Sequence, residues 1–139
     1  MFGPVGVAYV YRIYGLHWCM NLVCSDASAV LLRALMPLDG IGRMKDRRKV
    51  DNVLSLCSGP AKLAQALNIT NMLDGMPVHA PPFLIKQRDE SVQIESGTRI
   101  GIRRAIETPW RFWQAGSPYV SGKRSLGVSS RTLVMPKSV

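Results

Sequence analysis

The chain has 139 residues, 47% apolar and 19% charged, which is room for one ordinary domain and argues against disorder, collagen-like repeats and low complexity. Eighteen Lys and Arg against nine Asp and Glu give a net charge of +9, an excess that suits either a polyanion such as nucleic acid or a solvated surface. No apolar run approaches the roughly 18–20 residues of a membrane span, and Met1-Phe2-Gly3-Pro4 lacks the charged start of a signal peptide, so a non-secreted protein with no membrane partner is expected.

Residues 8–14, Ala-Tyr-Val-Tyr-Arg-Ile-Tyr, are aromatic and β-branched and alternate like a strand. Tyr9, Tyr11 and Ile13 fall on one face and Val10, Arg12 and Tyr14 on the other. Gly15 breaks the run and residues 16–24 resume it, which predicts a β-hairpin with Tyr14-Gly15 at its tip. Residues 29–35 read as a third strand closed by Met36-Pro37. Residues 39–50 read as a short basic helix, and Ser58-Gly59-Pro60 opens another, with Ser58 as its N-cap and residues 61–67 as its helix formers. Beyond Asn71 the chain is loop-rich, with short strands expected at 83–85, 92–95, 99–102 and 111–113. After Ser121 the pattern dissolves into a basic tail, 122–139, expected to be disordered. The sum is an α+β domain of mainly antiparallel strands with a protruding hairpin and peripheral helices.

The positive charge is unevenly placed. From Arg99 to the end there are eight basic residues against one acid, Glu107, and residues 43–49 hold five basic residues in seven. Three cysteines, Cys19, Cys24 and Cys57, with no Cys-x-x-Cys pair, fit neither a disulfide framework nor a zinc knuckle. Reduced thiols, buried or semi-buried, and no metal site are expected.

Several residues admit two readings. Tyr9, Tyr11 and Tyr14 either pack a cross-strand ladder, or one wedges between bases while another offers a stacking platform. Asn21 on the second strand is either a solvated polar residue or an amide that reads a base edge. Arg33, set among Leu31, Leu32, Ala34 and Leu35, either points to water or is held in a site by a carboxylate, a phosphate or a water.

The stretch from Ala8 to Asn21 resembles the tyrosine hairpin of the alkyladenine (3-methyladenine) DNA glycosylases, the type shared by mammals and many bacteria. Residues 30–37, residues 56–63 with Gln65-Ala66-Leu67, and residues 99–102 leading into 109–113 and 116–121 resemble the same family in the same order. The likeness covers residues 1–121 and implies hydrolysis of the N-glycosidic bond of damaged purines such as 3-methyladenine and hypoxanthine in double-stranded DNA. It also implies a monomer without metal or cofactor, cytoplasmic or nucleoid-associated in a bacterium and nuclear in a eukaryote.

By the same resemblance Tyr14 matches the side chain that fills the gap left by a flipped nucleotide. Tyr11 matches an aromatic stacked on the extruded base, and Asn21 the amide that disfavours guanine. Leu16 and His17 match the duplex-contacting tip. Arg33 and the carbonyl of Ile100 match the groups that hold the attacking water. Gly101, Arg48 and Lys62 fall where the family approaches phosphates. The family's general base is a glutamate upstream of the hairpin, and none of the nine acids here stands at its position. Asp26 and Asp39 flank turns and Glu107 lies in a basic segment. The chain is therefore expected to be a glycosylase domain lacking its N-terminal catalytic part, its true start lying upstream. The alternatives are a DNA-binding remnant without catalysis and a basic protein for an RNA partner.

Overall fold

The hairpin forms where the alternation predicts it. In the computed structural model, which describes residues 3–25, 27–87 and 91–122, β1 (Ala8–Ile13) pairs antiparallel with β2 (His17–Ser25) from Ala8↔Leu22 to Ile13↔His17. At the tip Tyr14 and Gly15 are both left-handed, φ 52° and 67°, and Leu16 N–H donates to the Ile13 carbonyl at 3.2 Å. Glycine tolerates that conformation; a tyrosine there is strained.

β2 continues into β3 (Ser28–Leu31), completing a sheet of order β1-β2-β3. β3 is shorter than the predicted 29–35. Past Leu31 the backbone turns from the sheet to the helices, as Leu35 N–H donates to the Cys57 carbonyl at 3.4 Å. The outer edge of β1 is covered by the segment after Leu73, where Asp74 accepts from Val10 N–H at 2.7 Å. Covering an edge in this way removes a template for aggregation.

Three helices lie between β3 and residue 67: α1 (Ile41–Arg48), α2 (Val53–Leu56) and α3 (Pro60–Ala66). α1 is shorter than the predicted 39–50 because Gly40 and Lys49, φ 69° and 53°, bound it with left-handed residues. α2 was not predicted; Asn52 caps it by accepting from Leu54 N–H at 3.0 Å. Ser58 does not cap α3. Its hydroxyl donates to the Ser55 carbonyl, and Gly59 takes the cap position ahead of Pro60.

Leu63, Ala64 and Ala66 of α3 pack with Leu56, Cys57 and Met44 against Ala8, Val10 and Met20 of the sheet. This core uses one face of the hairpin. The period of two therefore sends Tyr9, Tyr11, Cys19 and Asn21 to the opposite face.

A second sheet pairs β4 (Ile94–Gly97) with β5 (Arg111–Gln114), in place of the strands expected at 92–95 and 111–113. Neither 83–85 nor 99–102 forms a strand. Residues 83–85 make a single backbone bond, Ile85 N–H to the Val78 carbonyl at 3.0 Å. In 99–102 the Ile100 carbonyl faces an arginine and Gly101 is left-handed. Asp26 and residues 123–139, most of the expected tail, lie outside the described residues.

Leu63 is fully buried and Leu54 is 44% exposed. Leu63→Ala should therefore lower unfolding free energy by about 2–5 kcal/mol. Leu54→Ala should cost under about 1 kcal/mol. Urea denaturation of the two variants checks the difference.

Candidate nucleic-acid interface and purine site

The second face of the three-stranded sheet carries polar and aromatic side chains in register. Tyr9 stands opposite Asn21, Tyr11 opposite Cys19, and Asn21 opposite Leu31. The Tyr9 and Tyr11 rings are stacked, centroids 5.3 Å apart at 18°. Burial pushes the Tyr11 phenol above its ordinary pKa, and Cys19 beside it adds to the shift. Burial likewise raises the Cys19 thiol, although its hydrogen bond to Tyr11 and the charge of Arg33 oppose this. Asn21 is 8% exposed, and its Oδ1 has no hydrogen-bond partner among the described residues. A buried, unsatisfied amide oxygen carries a desolvation penalty of roughly 1–3 kcal/mol.

Arg33 extends this face beyond β3. Its Nη1 donates to the Ile100 carbonyl and its Nε to Ser121 Oγ, both at 3.4 Å. These bonds are long for N–H···O. Burial lowers the Arg33 pKa, and the nearby Arg111 guanidinium lowers it further. Arg111 is itself buried; its Nη2 donates to the Ser121 carbonyl and its guanidinium lies 4.9 Å from the Trp113 ring. Among the described residues the charged or titratable groups acting on Arg33 are Arg111, Cys19 and Tyr11, none of them a carboxylate. A half-buried and a buried guanidinium, with no acid between them among the described residues, make a site that favours an anion or an oriented water.

Tyr14, 83% exposed, and Leu16, 76% exposed, project from the hairpin tip beside an exposed His17. Below them a cavity of about 260 Å³ is lined by Ile13, Tyr14, His17, Cys19 and the Gly59–Lys62 segment at the start of α3. The structure thus joins Tyr11, Asn21, Arg33 and the Ile100 carbonyl on one side of the sheet. Tyr14, Leu16, His17 and Lys62 gather at the hairpin end. Gly101 is exposed next to Ile100, with φ 75°.

Arg48 stands apart from both groups. Its Nε donates to the Leu56 carbonyl at 3.2 Å and its Nη1 to Gln65 Oε1 at 2.7 Å. The neighbouring Arg47 donates to the Ala66 carbonyl at 2.9 Å. Two of the four cations in α1 therefore bind carbonyls at the C-terminal ends of α2 and α3, where the helix dipole favours positive charge. Arg111 and Ser121 were missed as site residues. The only signal was an arginine set inside an aromatic strand, Trp110-Arg111-Phe112-Trp113. Among the described residues no group of three or more His, Cys, Asp and Glu is placed to hold a metal.

The described acids are engaged elsewhere or exposed: Glu95 accepts from Trp113 Nε1 at 2.6 Å, Asp74 from Val10, and Asp51 meets Lys45 at 3.7 Å. Asp39, Asp46 and Glu107 are exposed.

Residues 1–118 match the model of the methylpurine-DNA glycosylase family. A protein of Agrobacterium fabrum provisionally named 3-methyladenine DNA glycosylase is 57% identical over 123 residues, covering 88% of this chain and 64% of that protein. One of Rhodopseudomonas palustris with the same provisional name is 54% identical over 124 residues, covering 87% and 62%. One of Granulibacter bethesdensis, so named too, is 52% identical over 131 residues, covering 90% and 62%. The chain spans about three fifths of the length of the curated relatives it matches.

Arg33 is the described side chain that ties Ile100 and Ser121 to the three-stranded sheet. Arg33→Met should cost about 1–3 kcal/mol, the loss of two charge-assisted bonds around buried acceptors. It should also loosen residues 98–110, so that trypsin cuts after the exposed Arg103 and Arg104 faster than in the parent chain. Peptide mapping after limited digestion reads this out.

Proposed function

This chain belongs to the methylpurine-DNA glycosylase family, and from that premise we propose that it is the DNA-contacting portion of a glycosylase that removes damaged purines from duplex DNA. The observation that carries the reading is the division of the hairpin. Its tip exposes Tyr14, while one face at its base gathers Tyr11, Asn21, Arg33 and the Ile100 carbonyl.

The purine's C1′–N9 bond lies inside the double helix, so the nucleotide must first leave the stack at a cost of a few kcal/mol. Tyr14 fills the space it leaves, with Leu16 and His17 against the neighbouring groove. The extruded purine stacks on Tyr11, whose ring is already held parallel to Tyr9. The Asn21 amide occupies the position that the 2-amino group of guanine would need. Arg33 and the Ile100 carbonyl bracket a water, one donating to it and the other accepting. That water adds through its oxygen to C1′ as the C1′–N9 bond breaks. The departing purine takes the bonding electron pair and a carboxylate takes the water's proton; a cationic 3-methyladenine leaves neutral, and hypoxanthine takes up one proton from solvent as it leaves. The products are a free base and an abasic site. The transition state has oxocarbenium character, which an adjacent carboxylate stabilises.

None of the described acids faces Arg33, and the reading takes that carboxylate to come from polypeptide other than residues 1–139. The Arg33–Arg111 pair, cationic and without an acid between its members, is complementary to it. Gly101 and Lys62 approach phosphates, whereas the side-chain bonds of Arg48 favour a role in holding α2 and α3. 3-Methyladenine and hypoxanthine are the bases the reading assigns, and a monomer on damaged duplex DNA is the working form.

Tyr14→Ala tests the wedge. Loss of one base-stacking aromatic should weaken binding to an abasic-site duplex by roughly 5- to 100-fold, with binding to undamaged duplex changed less than about twofold. Equal weakening of both would remove Tyr14 from the proposed role. Residues 1–139 alone should bind a hypoxanthine duplex without producing alkali-labile breaks. Breaks made by this chain alone would place the general base among its own acids.

A further inference from the structure

β4 and β5 are joined by a thirteen-residue connection, 98–110, far longer than a hairpin turn requires. One side chain organises it. Arg99 donates from Nη2 to the Arg104 and Ala105 carbonyls at 3.3 and 3.1 Å, and its guanidinium lies 5.4 Å from the centre of the Trp110 ring. Trp110 N–H in turn donates to the Thr108 carbonyl at 2.8 Å. The indole is thus held against the base of the loop while remaining 67% exposed, with Phe112, two residues on, 57% exposed. Arg103 and Arg104 are exposed, and neither has an ion-pair partner among the described residues.

Exposed aromatic rings bordered by unneutralised arginines are the composition of a surface for unpaired nucleic acid. Stacked bases in a duplex hide their faces, whereas a single strand presents every face to a ring and every phosphate to a cation. A duplex backbone would use the arginines and leave the indole unused. We propose that residues 99–112 form a second nucleic-acid contact, in which Trp110 stacks on an unpaired base and Arg103 and Arg104 neutralise the flanking phosphates. Arg99 is a positioning residue for that surface. Ile100, whose carbonyl meets Arg33, lies near the start of the loop and Arg111 follows its end, so a bound strand runs toward the purine site. The inference rests on the reading that this chain contacts DNA and extends it to DNA that has lost its partner strand.

The test measures anisotropy of a fluorescent oligothymidylate of about ten nucleotides, and of an undamaged duplex, with the full chain at about 0.1 M salt. Trp110→Ala should weaken strand binding roughly 5- to 100-fold, Trp110→Phe should restore most of it, and duplex binding should change less than about twofold. The Arg103→Ser/Arg104→Ser double variant should reduce the salt slope of strand binding by about 1.4, two phosphate contacts at about 0.7 each. Circular dichroism of each variant establishes that it folds. Strand binding unchanged by Trp110→Ala would overturn the proposal, as would equal losses on strand and duplex. So would a parent chain that does not bind the strand, which would leave this surface to a protein contact. An abasic-site duplex in the same titration separates the two readings. Loss of lesion preference with strand binding intact would count against the glycosylase reading and not against this one.

Discussion

Among the described residues, one guanidinium just past β3 reaches the segments that flank β4 and β5. A two-stranded ribbon such as β4–β5 is marginal by itself, and the described side-chain bonds that tie this one to the three-stranded sheet run from Arg33 to the Ile100 carbonyl and Ser121. The charge sits where the strand pattern asks for an apolar residue, and its burial is unfavourable unless its donors find partners. Both bonds are 3.4 Å long, and Arg111 repels it from nearby. Arg33 is therefore held rather than relaxed. That state makes it useful: a cation with incompletely satisfied donors keeps affinity for an anion or an oriented water. The cross-link that completes the fold is also the centre of the proposed chemistry.

What the sequence showed of this arrangement depended on how local the responsible interaction is. The hairpin was legible because its period of two and its Tyr14-Gly15 tip are written in adjacent residues. The same period places Tyr11 and Asn21 on one face, so half of the candidate site followed from alternation. The helix ends were not legible. Gly40 and Lys49 stop α1 by backbone conformation, and Ser58 yields the α3 cap to Gly59 by turning its hydroxyl to Ser55. Strand residues 94–97 and 111–114 find each other across a long connection, which no local pattern encodes. Charge was the most misleading signal. A sequence shows that Arg48 is cationic, but not that Leu56 and Gln65 already occupy its donors. It shows Arg111 in a basic tally, but not its burial against Trp113.

The positions of the tyrosines show how one strand serves two purposes. Tyr9 and Tyr11 share a face and stack, so part of their surface is removed from water and their rings are fixed. Tyr14 has the opposite parity and lies past the last strand pair, so the fold gives it no neighbour that would bury it. A left-handed tyrosine costs on the order of 1–2 kcal/mol, and exposing its ring forgoes the gain from burying it. Six consecutive residue pairs below the tip, Ala8↔Leu22 to Ile13↔His17, hold the turn despite that strain. Selection for stability alone would favour asparagine or glycine there.

A constrained backbone at the hairpin tip matters for energetics. A flexible side chain entering DNA loses rotamer freedom at the moment of binding, a cost of about 0.5–1.5 kcal/mol for each ordered group. Tyr14 is carried on a short, doubly left-handed turn, so the backbone part of that ordering is already met by folding. In the proposed glycosylase more of the contact energy then goes into unstacking the purine. The strain at Tyr14 and the long bonds of Arg33 are thus the same kind of feature, local instability carried by the fold at the proposed DNA site.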